Sequence, residues 1–171
     1  MNVLPFNPEQ DLAEAGAGLA AAYLQFPREN VMPILWRDAF SIGFRQIDND
    51  HRHLLDLINA IEAALTVEQA MSKLHNAIDD LAAYTRRHFA FEERLMIEAS
   101  YVNYEWHKAA HQELIEQLKQ AAEPILSMRG GDSNTTLAVP AEARDALVGL
   151  LRHWLVDHII KEDMQLKSVL S

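Results

Sequence analysis

Apolar residues recur three and four positions apart along most of the chain, which is the spacing of one face of an α-helix. The first strongly periodic stretch begins at Asp48, a residue type favoured at the N-cap of a helix. Its apolar face carries Leu54, Leu55, Ile58, Ile61 and Leu65. Sustained alternation of apolar and polar residues, the pattern of a strand, is nearly absent. The sequence therefore predicts an all-α protein.

Three further helices are predicted after the first. Thr66 and Gln69 have the spacing of a capping box, so a second helix is predicted to run from there to about Glu98. A third helix is predicted over about 103–127 and a fourth over about 140–168. Four amphipathic helices with fairly short connections favour an antiparallel four-helix bundle.

The remaining segments divide the chain into two parts. Residues 1–35 are predicted to form an N-terminal helical extension and connector, with a weak helix over 9–25, and residues 36–171 to form the bundle domain. Within the bundle, residues 129–141 are polar and glycine-rich, which predicts a long loop. Pro140 suits the first turn of the helix that follows this loop.

The composition narrows the classes of function. The 171 residues include 25 acidic and 15 basic side chains, for a formal charge of −10. This balance argues against a nucleic-acid surface, because such a surface needs clustered Lys and Arg. The sequence contains no cysteine, which excludes disulfides, thiolate metal sites and iron–sulfur ligation.

Targeting signals are not evident in the sequence. The chain starts without a basic region followed by an apolar stretch, so we expect no secretory signal. The apolar run from Ala15 to Phe26 is too short to span a membrane. We therefore expect a cytoplasmic protein that contacts neither membranes nor nucleic acid.

Several histidines and a glutamate are spaced to share helix faces. His88 and Glu92 are four residues apart, and so are His107 and His111, which separates each pair by about 40° around a helix. A lone histidine on an apolar face is usually a hydrogen-bonded core residue. Two such pairs on consecutive helices favour a metal site instead, because burying these groups without a partner would cost several kcal/mol.

Every predicted helix of the bundle contains at least one candidate ligand, since His51 lies in the first helix and His158 in the fourth. With these positions in place, the sequence resembles the hemerythrins, specifically the bacterial hemerythrin-like proteins, from about Trp36 to Leu170. The matching segments are WRDAFSIGFRQIDNDH, YTRRHFAFEERLM, HKAAH and WLVDHIIKED. Their order along the chain makes the resemblance specific.

The resemblance implies a non-heme di-iron centre with seven protein ligands. Three histidines bind one iron, two bind the other, and two carboxylates and an oxo or hydroxo group bridge them. In that order, the ligands are His107, His111 and His158; His51 and His88; Glu92 and Asp163.

One of these assignments conflicts with simple helical spacing. Glu162 lies four residues after His158 and would share its face, whereas Asp163 lies five residues on, about 140° around an ideal helix. Only the resemblance selects Asp163.

The same ligand set leaves one coordination position open. Two octahedral metals need about twelve positions, and the histidines, the two carboxylates and the solvent-derived bridge fill all but one. The open position falls on the iron with two histidines. The resemblance places Phe89, Trp154, Leu155 and Ile159 around it as a dioxygen pocket, although ordinary core packing would also account for these side chains.

A few positions depart from the family pattern or lie outside it. Asp50 stands where relatives commonly have Gln or Glu. His53 and His75 are predicted to be solvated helix residues. His153 could approach the pocket from its place beside Trp154.

The leading functional hypothesis is a protein that binds dioxygen reversibly, as a carrier, store or sensor, and is not an enzyme. A second hypothesis is a di-iron enzyme that acts as an oxidase or handles peroxide or nitric oxide. The iron–sulfur repair relatives of this class have an N-terminal cysteine motif and more glutamate ligands, which this sequence does not match. A third hypothesis is an iron store or a signalling module whose N-terminal extension binds a protein partner.

Overall fold

Four long helices form the part of the chain that the structure, a computed structural model, describes. This part comprises residues 32–66, 71–128 and 138–170, without the side chains of Leu155 and Val156. The helices are α1 (Arg45–Thr66), α2 (Met71–Glu98), α3 (Tyr104–Leu126) and α4 (Ala141–Asp157). A π-helical segment (His158–Asp163) and a short helix α5 (Met164–Leu170) continue α4, and a 3₁₀ turn (Asp38–Phe40) precedes α1.

The helices close into a bundle. Each helix packs against the next one in the chain, and α4 also packs against α1. Strands are absent from the described residues, so the predicted all-α four-helix bundle is confirmed. Within the same residues, no helix is both long enough and apolar enough to cross a membrane.

The bundle core consists of two apolar clusters separated by a polar layer. The larger cluster includes Leu54 of α1, Phe89 of α2 and Ile159 of the π-helical segment. The smaller cluster lies at the other end and consists of Ile42, Ile47, Met96, Tyr101 and Leu166. Along α1, His51 falls between Ile47 and Leu54, and it is fully buried. The polar residues at this level are therefore enclosed by apolar packing on both sides.

The start of α1 differs from the prediction. The helix begins at Arg45, so Asp48 lies in its first turn rather than at its N-cap. Its carboxylate accepts hydrogen bonds from the Ile42 backbone N–H at 2.9 Å and the Ser41 hydroxyl at 2.6 Å. Asp48 thus joins the preceding loop to the helix. Like an N-cap residue, it accepts a hydrogen bond from a backbone N–H near the start of a helix.

The other helix boundaries agree closely with the predicted ones, except at the start of the second helix. The second helix ends at Glu98 as predicted, and α3 matches its predicted range within one residue at each end. The prediction that Thr66 opens the second helix is wrong, because Thr66 is the last residue of α1 and its hydroxyl donates to the Ala63 carbonyl. Gln69, like the predicted 9–25 helix and most of the 129–141 loop, lies outside the described residues.

The described N-terminal segment is fastened to the bundle by polar contacts. Asn59 exchanges two hydrogen bonds with the backbone of Ile34, at 2.8 and 2.9 Å. Arg152 of α4 forms a bidentate pair with the buried Glu62 of α1 and also donates to the Met32 carbonyl. These contacts join α1, α4 and the preceding connector.

Candidate metal centre

The polar layer of the core brings together the seven ligands that the sequence predicts. The four helical stretches contribute His51 from α1, His88 and Glu92 from α2, His107 and His111 from α3, and His158 and Asp163 from the π-helical segment. None of these residues is more than 6% exposed. In α2 and α3, the four-residue spacing of each pair places its two side chains on one inward face.

The ligand atoms fall into two groups that share two carboxylates. One group contains His107, His111 and His158, the other contains His51 and His88, and both contain Glu92 and Asp163. Within each group, one ligand atom of every residue lies within 4.8 Å of the others. This is the arrangement needed for two metal ions bridged by two carboxylates.

The two oxygens of Asp163 face different groups. Its Oδ2 lies 3.2 Å from Nε2 of His51, whereas its Oδ1 lies 3.2 Å from Nε2 of His107 and 3.1 Å from Nε2 of His158. One carboxylate oxygen is thus directed at each set of histidines.

Glu92 also lies between both groups, but its distances to the histidines vary more than those of Asp163. Its Oε2 lies 3.5 Å from Nε2 of His88 and 3.4 Å from Nε2 of His111, so a single oxygen is close to a histidine of each group. Its Oε1 lies 3.8 Å from Nε2 of His51.

The π-helical segment explains why Asp163, rather than Glu162, reaches the centre. In a π-helix, backbone hydrogen bonds join residues five apart, which brings side chains five apart closer to one face than they are in an α-helix. His158 and Asp163 have this spacing and are both buried. The Glu162 carboxylate instead accepts a hydrogen bond from Gln165, which is exposed. The sequence could not reveal this irregularity, because the segment His158–Asp163 contains no proline or glycine to indicate a break in the α-helix.

The buried ligand atoms lack hydrogen-bond partners. Both oxygens of Glu92, both oxygens of Asp163 and the Nε2 atoms of four of the histidines are buried without one. Such groups cost free energy when they are left unpaired. Bound metal ions would satisfy these atoms, and the mixed nitrogen and oxygen donor set suits a divalent first-row metal. The residues therefore fit the group that the sequence resemblance implies.

Burial shifts the protonation equilibria of the ligands. It lowers the pKa of His88. The pKa of His111 is lowered by burial and by the charges that its neighbours His158 and His107 would carry. Burial and the nearby Asp163 raise the pKa of Glu92. Burial would also raise the pKa of Asp163, but the surrounding histidines hold it below its usual value. Neutral imidazoles are the form that binds metal.

Two carboxylates outside the predicted ligand set lie close to the Nδ1 atoms of two of the histidines. Oδ2 of Asp50 lies 3.5 Å from Nδ1 of His88, and Oε1 of Glu93 lies 3.1 Å from Nδ1 of His111. Metal-bound histidines commonly have such partners, which fix the orientation of the ring. In the sequence, Asp50 stands out only as a departure from the family pattern, and Glu93 was not predicted to have a role. Each is adjacent in the chain to a predicted ligand.

A small cavity adjoins the donor group with two histidines. Its volume is about 10 Å³, close to the space of one water molecule. His51 and His88 both line it, whereas His158 is the one histidine of the other group in its lining. The remaining lining residues are Leu54, Phe89, Trp154, Ile159 and Asp163.

Three of the four residues predicted to form a pocket line this cavity. Phe89 is central among them, because its ring stacks on His111 with centroids 3.7 Å apart and meets Trp154 edge-on at 6.0 Å. The side chain of Leu155 lies outside the described part of the structure, so its place in the pocket stays a prediction. Leu54 was missed, although it lies on the same face as His51, three residues away.

The other three histidines have separate environments. His53 is exposed, as predicted, and its ring contacts Tyr84. The prediction of a solvated side chain is wrong for His75, which is half-buried and donates to the Ile125 carbonyl of α3. His153 lies 3.2 Å from Asp157 on the outside of α4 and is not among the residues that line the cavity.

Comparison with known proteins agrees with the geometry. The hemerythrin HHE cation binding domain matches residues 42–170. A bacteriohemerythrin of Stenotrophomonas maltophilia is 34% identical over 76% of this chain and 76% of its own length. A myohemerythrin of Riftia pachyptila is 27% identical over 80% of this chain and 92% of its own length.

A solved structure shares the fold. The crystal structure of wild-type hemerythrin superimposes with a TM-score of 0.67 at 23% identity, covering 82% of this chain and 99% of the other. Together with the domain match over residues 42–170, these similarities confirm the resemblance seen in the sequence. The chain belongs to the hemerythrin family.

Proposed function

We propose that this chain is a non-heme di-iron protein that binds dioxygen reversibly, as a carrier, store or sensor and not as an enzyme. The observation that carries the proposal is the pair of buried donor groups that share Glu92 and Asp163. A mixed set of imidazole nitrogens and carboxylate oxygens suits divalent first-row metals, including iron. Membership of the hemerythrin family supports the same metal.

The proposed ligand assignment follows the two donor groups. Three histidines would hold the first iron, two would hold the second, and the two carboxylates would be shared between them. In that order, the ligands are His107, His111 and His158; His51 and His88; Glu92 and Asp163.

Dioxygen is proposed to bind beside the iron with two histidines. A pair of ferrous ions can supply the two electrons that dioxygen binding requires and recover them on release. The cavity next to His51 and His88 supports this position, since it adjoins the group with fewer ligands. The side chains of Phe89, Trp154 and Ile159 give it a mainly apolar lining, which disfavours water there and so disfavours side reactions of a bound ligand.

Two further expectations from the sequence remain part of the proposal. The first is a cytoplasmic location. The second is a protein partner for the N-terminal extension, residues 1–35. Neither bears on the metal centre, so the test of function below is independent of both.

The visible spectrum of the ferrous protein tests the proposal. Protein reduced without oxygen is exposed to air and then returned to an oxygen-free atmosphere. We expect an absorption band that appears in air and disappears when oxygen is removed. Rapid, irreversible conversion to the ferric protein would favour an oxidase instead. No spectral change in air would favour an iron store and contradict oxygen binding.

A further inference from the structure

The hydroxyl of Tyr84 is connected to the candidate metal centre through two successive contacts. It donates a hydrogen bond of 2.7 Å to Oδ1 of Asp50, and Oδ2 of the same carboxylate lies 3.5 Å from Nδ1 of His88. His88 belongs to the donor group with two histidines. A continuous chain of polar contacts therefore runs from Tyr84 to one ligand of that group.

Asp50 alone would hold His88 weakly. A distance of 3.5 Å is beyond the usual 2.7–3.2 Å range of an N–H···O hydrogen bond. The Asp50 side chain is also 20% exposed, so water can compete for it. The short bond from Tyr84 fixes the direction in which the carboxylate points, and hence its contact with the imidazole.

Tyr84 is itself held in place. Its ring centroid is 4.4 Å from that of His53 on α1, and the guanidinium of Arg87 lies 5.1 Å from the ring. Burial and the adjacent Asp50 raise the pKa of Tyr84 to about 12. Its hydroxyl therefore remains a proton donor throughout the pH range in which proteins are usually handled.

The other donor group has a different support. Nδ1 of His111 lies 3.1 Å from Oε1 of Glu93, within ordinary hydrogen-bond distance. The Tyr84–Asp50 pair contacts His88 on the opposite group. Loss of the tyrosine hydroxyl should therefore affect the two metal positions unequally.

We propose that Tyr84 is a positioning residue that acts through Asp50 to hold His88 in its metal-binding orientation, and so sets the metal affinity of the two-histidine group selectively. The inference rests on the proposed two-metal centre. Outer partners of this kind typically change metal affinity 10- to 100-fold.

Titration of the metal-free full-length chain with Co²⁺ tests this inference. Co²⁺ accepts the same mixed ligands, and its visible absorption reports on coordination without oxygen chemistry. The wild-type chain is expected to bind about two equivalents. In Tyr84→Phe, one equivalent should bind roughly 10- to 100-fold more weakly and the other should be unchanged.

Tyr104→Phe is the matched control, because it removes the same atom from a tyrosine whose hydroxyl instead contacts Lys108 at 3.3 Å. It should bind both equivalents as the wild type does. Asp50→Asn provides a second route to the same result and should weaken the same equivalent. Combined with Tyr84→Phe, it should add little, since both changes break one chain of contacts.

Several results would overturn the inference. These are unchanged binding in Tyr84→Phe, equal weakening of both equivalents, or fully additive losses in the double variant. A loss of thermal stability in metal-free Tyr84→Phe much beyond that of Tyr104→Phe would also count against it, because it would indicate a general structural role. A wild-type chain that binds fewer than two equivalents would instead contradict the proposed function itself.

Discussion

Single side chains in the bundle either bind the proposed metals or shape the space beside them. Leu54 belongs to the second kind, because it lies one turn from His51, is 1% exposed and lines the cavity. Leu147 is equally buried in the same apolar cluster but is not among the cavity-lining residues. The two leucines therefore separate the contribution of a side chain to packing from its effect on the cavity.

Shortening each leucine to alanine should give different outcomes. Both Leu54→Ala and Leu147→Ala should lower the free energy of unfolding by about 2–5 kcal/mol, since each removes buried apolar atoms. Only Leu54→Ala should also admit water beside the two-histidine group. The absorption band formed in air should then decay faster in that variant, as measured by stopped-flow and slow-scan spectroscopy. Equal decay in both variants and the wild type would show that Leu54 serves packing alone.

Whether the role of a residue can be predicted from the sequence depends on whether its partners lie on the same helix or on another one. Pairs such as His88 and Glu92 could be recognised because they share one helix face, which spacing reveals. Asp50 and Glu93 could not be assigned a role in this way, because each contacts a histidine of a neighbouring helix. Such contacts depend on how the helices pack, which a single sequence does not specify.

At the scale of elements, the helices themselves follow from apolar periodicity, whereas the π-helical segment does not. The predicted fourth helix was continuous over about 140–168, but six residues, His158–Asp163, have the wider π-helical turn. Within it, Ile159 and Asp163 are buried while Ile160 is 42% exposed. A strict α-helical pattern would direct Glu162 inwards instead. The irregular turn thus determines that Asp163 is the carboxylate buried beside His158.

Two alanine substitutions test this element. Asp163→Ala should lose most of its iron, because it removes a carboxylate that faces histidines of both donor groups. Glu162→Ala should keep the iron content of the wild type, since that carboxylate contacts Gln165 at the surface. Metal analysis of the two purified variants gives the answer. Iron loss in the Glu162 variant alone would mean that an ordinary α-helix, with its four-residue spacing, describes the segment in solution.

For the whole molecule, the free energy of unfolding depends on pH, because the polar layer between the two apolar clusters buries side chains that can gain or lose a proton. His88 and His111 are neutral in the folded metal-free protein, because burial lowers the pKa of both. In the unfolded chain, each takes up a proton below about pH 6.5. Glu92 acts in the opposite sense, since burial raises its pKa and it retains a proton on folding above about pH 4.5.

The stability of the metal-free protein should therefore fall as the pH is lowered from about 6.5 to 5. Two histidines favour proton uptake by the unfolded chain, whereas Glu92, Glu93 and Glu162, whose pKa values burial raises, offset part of it. Each proton of imbalance changes the free energy of unfolding by about 1.4 kcal/mol per pH unit at most. Chemical denaturation at a series of pH values measures this slope. His111→Gln should reduce the slope, whereas substitution of the exposed His53 by Gln should leave it unchanged. A flat profile would contradict the neutral state of the buried histidines.

If the four helices enclose two irons, the iron content of the purified protein will show it. Protein reconstituted with ferrous iron without oxygen, and then freed of loosely bound metal, should contain about two irons per chain, because two donor groups are present. His107→Ala should lose iron and stability together, since the other buried ligands would then lack part of their partner set. One metal per chain, or zinc at full occupancy in place of iron, would contradict the account.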